Sequence, residues 1–171
     1  MGKKIGIVVG SDSDLKVIQK VTDTLKEFEQ EYELVIASAH RVPDRVEEFS
    51  AGAEKRGLQV IIAAAGLAAH LPGVVASRTV LPVIGLPIGG GPLSGVDALY
   101  SIVQMPGGIP VATVGIDNGK NAALLALQIL SAGDPSIREQ LKQYKQTMAD
   151  AVNRKNDRLQ KFGVEGYLKT K

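Results

Sequence analysis

Two short stretches carry side chains whose types and spacing suit acid–base chemistry on a charged metabolite. In Ser38-Ala39-His40-Arg41-Val42-Pro43-Asp44, His40 can exchange a proton near neutral pH. Arg41 offers a planar fork for phosphate or carboxylate, and Ser38 adds a hydroxyl. The bland alternative leaves His40 and Arg41 as exposed loop residues and Asp44 as a helix cap. In Gly10-Ser11-Asp12-Ser13-Asp14, a glycine turn is followed by two hydroxyls, Ser11 and Ser13, and by the free N–H groups of a following helix, which suits a phosphate. A plain helix cap explains the same residues. Two carboxylates beside a phosphate would repel it, so Asp14 is assigned to a sugar hydroxyl.

A third stretch, Ala63 to Gly73, is built from small residues, Gly66 and Ala68 among them, that let backbone approach a ligand closely. His70 sits in it among apolar neighbours and, taken alone, reads as a satisfied structural histidine. Gly89-Gly90-Gly91 reads as a mobile lid, a phosphate nest or simple turn chemistry. Gln104 serves equally well as a cap or a ligand. Asp117-Asn118-Gly119 is a turn signal, and Asn121 a candidate helix start.

The elements that must position these loops alternate along the chain. Short apolar runs at Ile5–Val9, Tyr32–Ile36, Val60–Ala65, Val83–Pro87 and Val111–Val114 predict five strands. Between them, periodic apolar positions predict helices. Leu15, Ile18, Leu25 and Phe28 follow Asp14; Val42, Val46, Phe49 and Ala53 follow the second strand, with Pro43 in the first turn. Further helices are predicted over Ala69–Arg78, Val96–Val103 and Asn121–Leu130. Strand–helix alternation implies parallel strands, right-handed crossovers and helices on both faces: a three-layer α/β sandwich. In such sheets ligands bind at the carboxyl ends of the strands, where the loops above lie. Beyond Pro135, Ile137, Leu141, Tyr144 and Met148, continued by Val152, Leu159 and Phe162, form one apolar stripe on an extra helix. It packs on its own domain or on a neighbouring subunit. The expected division is a domain over 1–133 and a helical extension over 134–171.

Composition excludes several functions. The chain has 171 residues, 44% hydrophobic and 22% charged, in keeping with one globular domain. It has no cysteine, so thiol nucleophiles and cysteine zinc sites are excluded, and two histidines leave little for a histidine metal site. Aromatic residues are 4%, which argues against base-stacking nucleic-acid platforms. The net charge of +2 is uneven: residues 136–171 hold nine basic and four acidic side chains. The acids are interleaved, as on a solvated helix face, and no nucleic-acid partner is expected. The first apolar run is too short for a signal sequence and no run approaches a membrane span, so no membrane partner and a cytoplasmic location are expected. The G-x-G-x-x-G, P-loop, G-x-S-x-G and H-E-x-x-H motifs are absent. Residue chemistry alone thus leads to a phosphate-bearing metabolite on an α/β sandwich with a histidine acid/base.

These loops, in order, resemble the PurE family. The resemblance rests on Gly10–Asp14, Ser38–Asp44, Ala68-Ala69-His70-Leu71-Pro72-Gly73 and Leu93–Pro106, which contains Ser101-Ile102-Val103-Gln104-Met105-Pro106. Gly108–Thr113 and Asn121–Ala126 extend it, so it covers nearly the whole chain through Leu130. That family comprises N5-carboxyaminoimidazole ribonucleotide mutases of purine biosynthesis, which move a carboxyl group from N5 to C4. The resemblance implies a flavodoxin-like fold, no metal, no cofactor, a small ribonucleotide substrate and a homo-octamer. It further implies His40 as catalytic acid/base and a substrate-binding set of Ser11, Ser13, Asp14, Ser38, Arg41, Gly66, Ala68, His70 and Leu71. Ala64 and Leu67 stand where the family pattern has glycines, and Gly89–Pro92 where it carries a polar stretch. Alternatives are a direct aminoimidazole ribonucleotide carboxylase using carbon dioxide, a related mononucleotide carboxylase, and a non-catalytic nucleotide sensor.

Overall fold

The computed structural model describes residues 2–169. Its first compact unit ends at Leu130, and a second begins at Ser131. The first unit holds five parallel strands, β1 (Ile5–Val9), β2 (Tyr32–Ile36), β3 (Val60–Gly66), β4 (Val83–Ile88) and β5 (Ala112–Thr113), in the order β2-β1-β3-β4-β5. Register pairs Ile7 with Leu34 on one side and Ile62 on the other, and Ile62 in turn with Ile84. Every residue of β1 and β4 is buried, and all of β3 but Gly66, as strands covered on both faces must be. The edge strand β2 is only partly buried.

Five helices cover this sheet: α1 (Leu15–Glu27), α2 (Pro43–Ala51), α3 (Leu71–Ala76), α4 (Val96–Val103) and α5 (Gly119–Leu130). Side chains alternate along each strand, so one face receives Val8, Ile61, Ala63 and Val83 together with Val46, Phe49, Leu71, Val75, Ala98 and Ile102 of α2–α4. The other face is covered by α1 and α5, which pack against each other. Gly85 shows how closely α4 lies on the sheet. A Cβ added there would come 2.2 Å from Ile102 Cγ2 and 2.9 Å from Val111 Cγ1. The arrangement is the three-layer sandwich expected from the alternation, with the flavodoxin-like fold that the family resemblance implies.

Differences from the expected elements have local causes. A 3-10 turn over Asp12–Asp14 precedes α1, and Leu15 and Val42, placed on buried helix faces by periodicity, are exposed. Ala53 is buried, but in the turn after α2. The third helix is six residues long, shorter than Ala69–Arg78, because the Ala69 and His70 N–H groups donate to the Leu67 and Ala68 carbonyls in tight turns. The fifth strand shrinks to two residues, with Val114 N–H still donating to Gly85 O. The helix expected from Asn121 starts at Gly119, because Asn118 Oδ1 accepts from the Asn121 N–H at 3.1 Å and serves as its cap.

The second unit is the helix α6 (Pro135–Lys169), interrupted at Gly163, where φ is 61° and ψ 178°. Asp134 Oδ1 accepts from the N–H groups of Ser136 and Ile137 and caps it. Ile137 and Leu141 of the apolar stripe are buried, whereas Met148, Val152, Leu159 and Phe162 are exposed. Among the described residues, no helix is long and apolar enough to cross a membrane.

Candidate active site

The chain steps from β1 outward to β2 and returns across β1 to β3, so the topological switch lies between β1 and β3. Loops leaving those two strands diverge to opposite faces and open a crevice between them. A cavity of about 770 Å³ occupies this place, within the first unit. Every residue assigned to the site from sequence lines it: Ser11, Ser13 and Asp14 after β1, Ser38, His40 and Arg41 after β2, Gly66 at the end of β3, and Ala68, His70 and Leu71 after it.

The β1 loop is a network of short contacts. Ser11 Oγ accepts from the Ser13 N–H at 3.3 Å, and Ser13 Oγ donates to Asp14 Oδ1 at 3.0 Å. Asp14 is 7% exposed. Burial pushes its carboxyl above the ordinary value of 3.8; hydrogen bonds from Ser13 and the Ser11 backbone oppose the rise, and the Asp12 charge adds to it. Such a group favours a partner that donates a hydrogen bond to its charged form.

The β2 loop is tied to the neighbouring β1 loop. Ser38 Oγ accepts from the Arg41 N–H at 3.3 Å, and Arg41 Nη2 donates to Gly10 O at 3.2 Å. The guanidinium is thereby held over the β1 loop with its remaining donors available to an anion. Gly10 N–H in turn donates to Ala64 O at 3.2 Å, linking the β1 loop to β3.

The third wall is backbone from Ala65 to Leu71. His70, which its apolar neighbours alone read as structural and the family resemblance as substrate-binding, is exposed to the cavity, and its partner is the other histidine. His40 Nε2 lies 2.8 Å from His70 Nδ1, with the rings edge to face at 87° and centroids 4.9 Å apart. One of these nitrogens must carry a hydrogen and the other a lone pair, so the rings cannot both be imidazolium in this geometry. The pair can pass a proton between a bound molecule and a second base. Leu71 differs from the rest: its side chain is in the core, so what it offers a ligand is main chain.

Nine lining residues were not assigned from sequence as site residues: Gly10, Ala39, Ala65, Leu67, Ala69, Ile88 and the Gly89–Gly91 loop that follows β4. The loop's place after a strand's carboxyl end was the available signal. Gln104 and Asn121 do not line the cavity. Among the described residues, no group of three or more His, Asp or Glu side chains is arranged to hold a metal ion.

Comparison with known proteins places these features. A model of the AIR carboxylase family matches residues 4–151. An N5-carboxyaminoimidazole ribonucleotide mutase of Pyrococcus horikoshii is 57% identical over 164 residues, spanning 96% of this chain and 93% of its own length. A protein of the same name from Thermotoga maritima is 53% identical over 168 residues, 98% of each chain. Among solved structures, Treponema denticola PurE matches with a TM-score of 0.82 at 32% identity, covering 91% of this chain and 97% of that one.

Proposed function

The chain belongs to the AIR carboxylase family, and from that premise we propose that it is an N5-carboxyaminoimidazole ribonucleotide mutase, transferring the carboxylate from N5 to C4 of the aminoimidazole. The observation that carries this reading is the facing pair of His40 and His70 in a cavity that also holds Arg41 and Asp14. A guanidinium beside a glycine–serine loop suits a 5′-phosphate, and a buried carboxylate suits the ribose hydroxyls. Gly66 and Ala68 carry little or no side chain, which leaves room for an imidazole ring next to His40.

In the proposed reaction, the N5–carboxyl bond breaks and carbon dioxide leaves, while protonated His40 donates a proton to N5. The electron-rich C4 then attacks the carbon dioxide, and His40 takes the C4 proton to restore aromaticity. One proton leaves His40 and one returns, so the enzyme ends as it began and substrate and product are isomers. His70, at hydrogen-bond distance, orients the imidazole and holds the tautomer each step needs. Ser11, Ser13 and Ser38 with Arg41 hold the phosphate end, and main chain of Gly66, Ala68 and Leu71 borders the ring. Carbon dioxide is neutral and weakly held, so the walls must retain it.

The same reading makes the protein a cytoplasmic homo-octamer, with residues 134–171 serving subunit contacts. The exposed Met148, Val152, Leu159 and Phe162 on α6 support an apolar contact surface there.

The purified protein, offered the N5-carboxylated nucleotide, is expected to convert it without added bicarbonate. Turnover of aminoimidazole ribonucleotide plus bicarbonate alone would make it a direct carboxylase. Binding without turnover of either would make it a nucleotide sensor.

A further inference from the structure

Asp117 does not line the cavity, yet it is tied to one of its walls. Its Oδ1 accepts from the Gly89 N–H at 2.8 Å, and its own N–H donates to Pro87 O at 2.9 Å. Pro87 and Gly89 flank Ile88, where β4 gives way to the glycine loop. The carboxylate sits so close that a Cβ on Gly89 would come 2.5 Å from Asp117 Oδ2. Asp117 holds φ at +54°, in the left-handed region that favours glycine and admits Asn and Asp at some cost. Lys20 Nζ donates to its carbonyl at 3.4 Å and helps keep that turn in place.

The wall needs such support. Three consecutive glycines have more backbone freedom than any other run of residues, and ordering them costs correspondingly more. At the far end of the run, Gly91 meets the Leu67 side chain: a Cβ there would come 2.6 Å from Leu67 Cδ2. Between the two supports, nothing lies within 4 Å of a Cβ placed on Gly90. The loop is thus fixed by a hydrogen bond at its first residue, touched by an apolar side chain at its third, and unsupported at its centre.

We propose that Asp117 is a positioning residue that acts through the Gly89 N–H to hold the Gly89–Gly91 wall against the cavity, so that released carbon dioxide is kept beside C4; the carbon dioxide step rests on the mutase reading above. Loss of the carboxylate frees the glycine loop, opens the wall and lets the intermediate escape. The alternative is a turn residue whose carboxylate caps a nearby amide and matters only to local folding.

Two variants of the full chain separate these roles. Asp117→Gly accepts the positive φ without strain but has no acceptor for Gly89. Asp117→Asn tolerates the same φ and keeps an oxygen acceptor. In the ligand-free protein, Asp117→Gly is expected to speed amide hydrogen exchange at Gly89 by about tenfold or more, with β1 and β3 unchanged, and Asp117→Asn to restore most of the protection. With the N5-carboxylated nucleotide, Asp117→Gly is expected to release more aminoimidazole ribonucleotide per product formed, and Asp117→Asn to bring that ratio back. Unchanged exchange at Gly89 in Asp117→Gly overturns the anchor. Faster exchange with an unchanged ratio of leakage to product overturns the positioning role and leaves Asp117 a cap. A wild-type protein inert toward the nucleotide overturns the mutase reading and the carbon dioxide step, while exchange at Gly89 still decides whether the wall is held.

Discussion

Replacing Asp14 by Asn tests what a buried carboxylate is doing at the mouth of a cavity. Burial raises the Asp14 carboxyl above 3.8, so the fold favours its protonated form. Its stabilising share is therefore present below 3.8 and lost as pH rises through the raised value, and at neutral pH the charged group opposes folding. Asparagine has nearly the same shape and can still accept from Ser13 Oγ, now 3.0 Å away, but carries no charge to desolvate. Asp14→Asn should therefore melt at a higher temperature than wild type at pH 7, and the difference should shrink toward pH 3. Binding should move the other way. A hydrogen bond from a sugar hydroxyl to a carboxylate contributes roughly 1.5–3 kcal/mol, and to a neutral amide roughly 0.5–1.5. The difference, about 1–1.5 kcal/mol, is about tenfold in Kd for aminoimidazole ribonucleotide by calorimetry. A ligand lacking both ring hydroxyls should bind the two proteins alike. Equal loss with that ligand would show that Asp14 does not face the ribose. A variant less stable at pH 7 would show that the charge is compensated in the ligand-free protein and that the reasoning from burial is wrong.

His40→Asn should retain nucleotide binding and lose at least about 10²–10⁴ in turnover, the usual share of a general acid–base group; near-normal steady-state rates would remove His40 from the chemistry. Arg41→Ala should weaken nucleotide binding by roughly 1.5–3 kcal/mol, and equal weakening toward the phosphate-free nucleoside would show that the guanidinium holds something else. The apolar stripe on α6 predicts that the full-length chain is an oligomer by light scattering and that a chain ending at Gly133 dissociates and loses activity together; a full-length monomer at micromolar concentration would refute this.

The strands were legible because burial on both faces leaves a simple trace: Ile5–Val9 and Val60–Ala65 are runs of apolar and small residues that end at glycine. Alternation with helices then implied parallel strands, and with them the edge of the sheet where a ligand must sit, whereas the order β2-β1-β3-β4-β5 is visible only in the structure. The loops were legible for the same reason, since Ser11, His40 and Ala68 each follow a strand's carboxyl end. What was not legible is whatever depends on the path of a loop in space. His70 looks structural beside Ala69 and Leu71, both buried, and joins the site from sequence only through the family resemblance; its approach to His40 depends on the turns at Leu67 and Ala68. Asp117 reads as a turn residue in Asp117-Asn118-Gly119, and it is one, but its side chain bonds an amide in another loop. Periodicity placed Leu15 and Val42 inside because it cannot tell the first residue of a buried face from the last residue of a loop.

Where the backbone is strained shows what the loops are held for. Among the described residues, four non-glycine residues have positive φ: Glu29, Leu67, Ser94 and Asp117. Three of them, Leu67, Ser94 and Asp117, lie in segments leaving the carboxyl ends of β3, β4 and β5. Such a conformation costs an L-residue roughly 1–2 kcal/mol relative to its ordinary region. On the opposite edge, the turns entering β3 and β5 adopt positive φ at Gly57 and Gly108, where it costs little, and the turn entering β2 does so at Glu29. Leu67 carries the most informative share of this strain, because it is 56% exposed and recovers little by burial in the ligand-free chain. Its side chain does reach Gly91, and a glycine at 67 would leave that end of the loop untouched. Strain at Leu67, an amide bound at Gly89 by a strained Asp117, and a carboxylate buried at Asp14 therefore act together. Each destabilises the empty protein a little, and each fixes a part of the cavity wall before any ligand arrives.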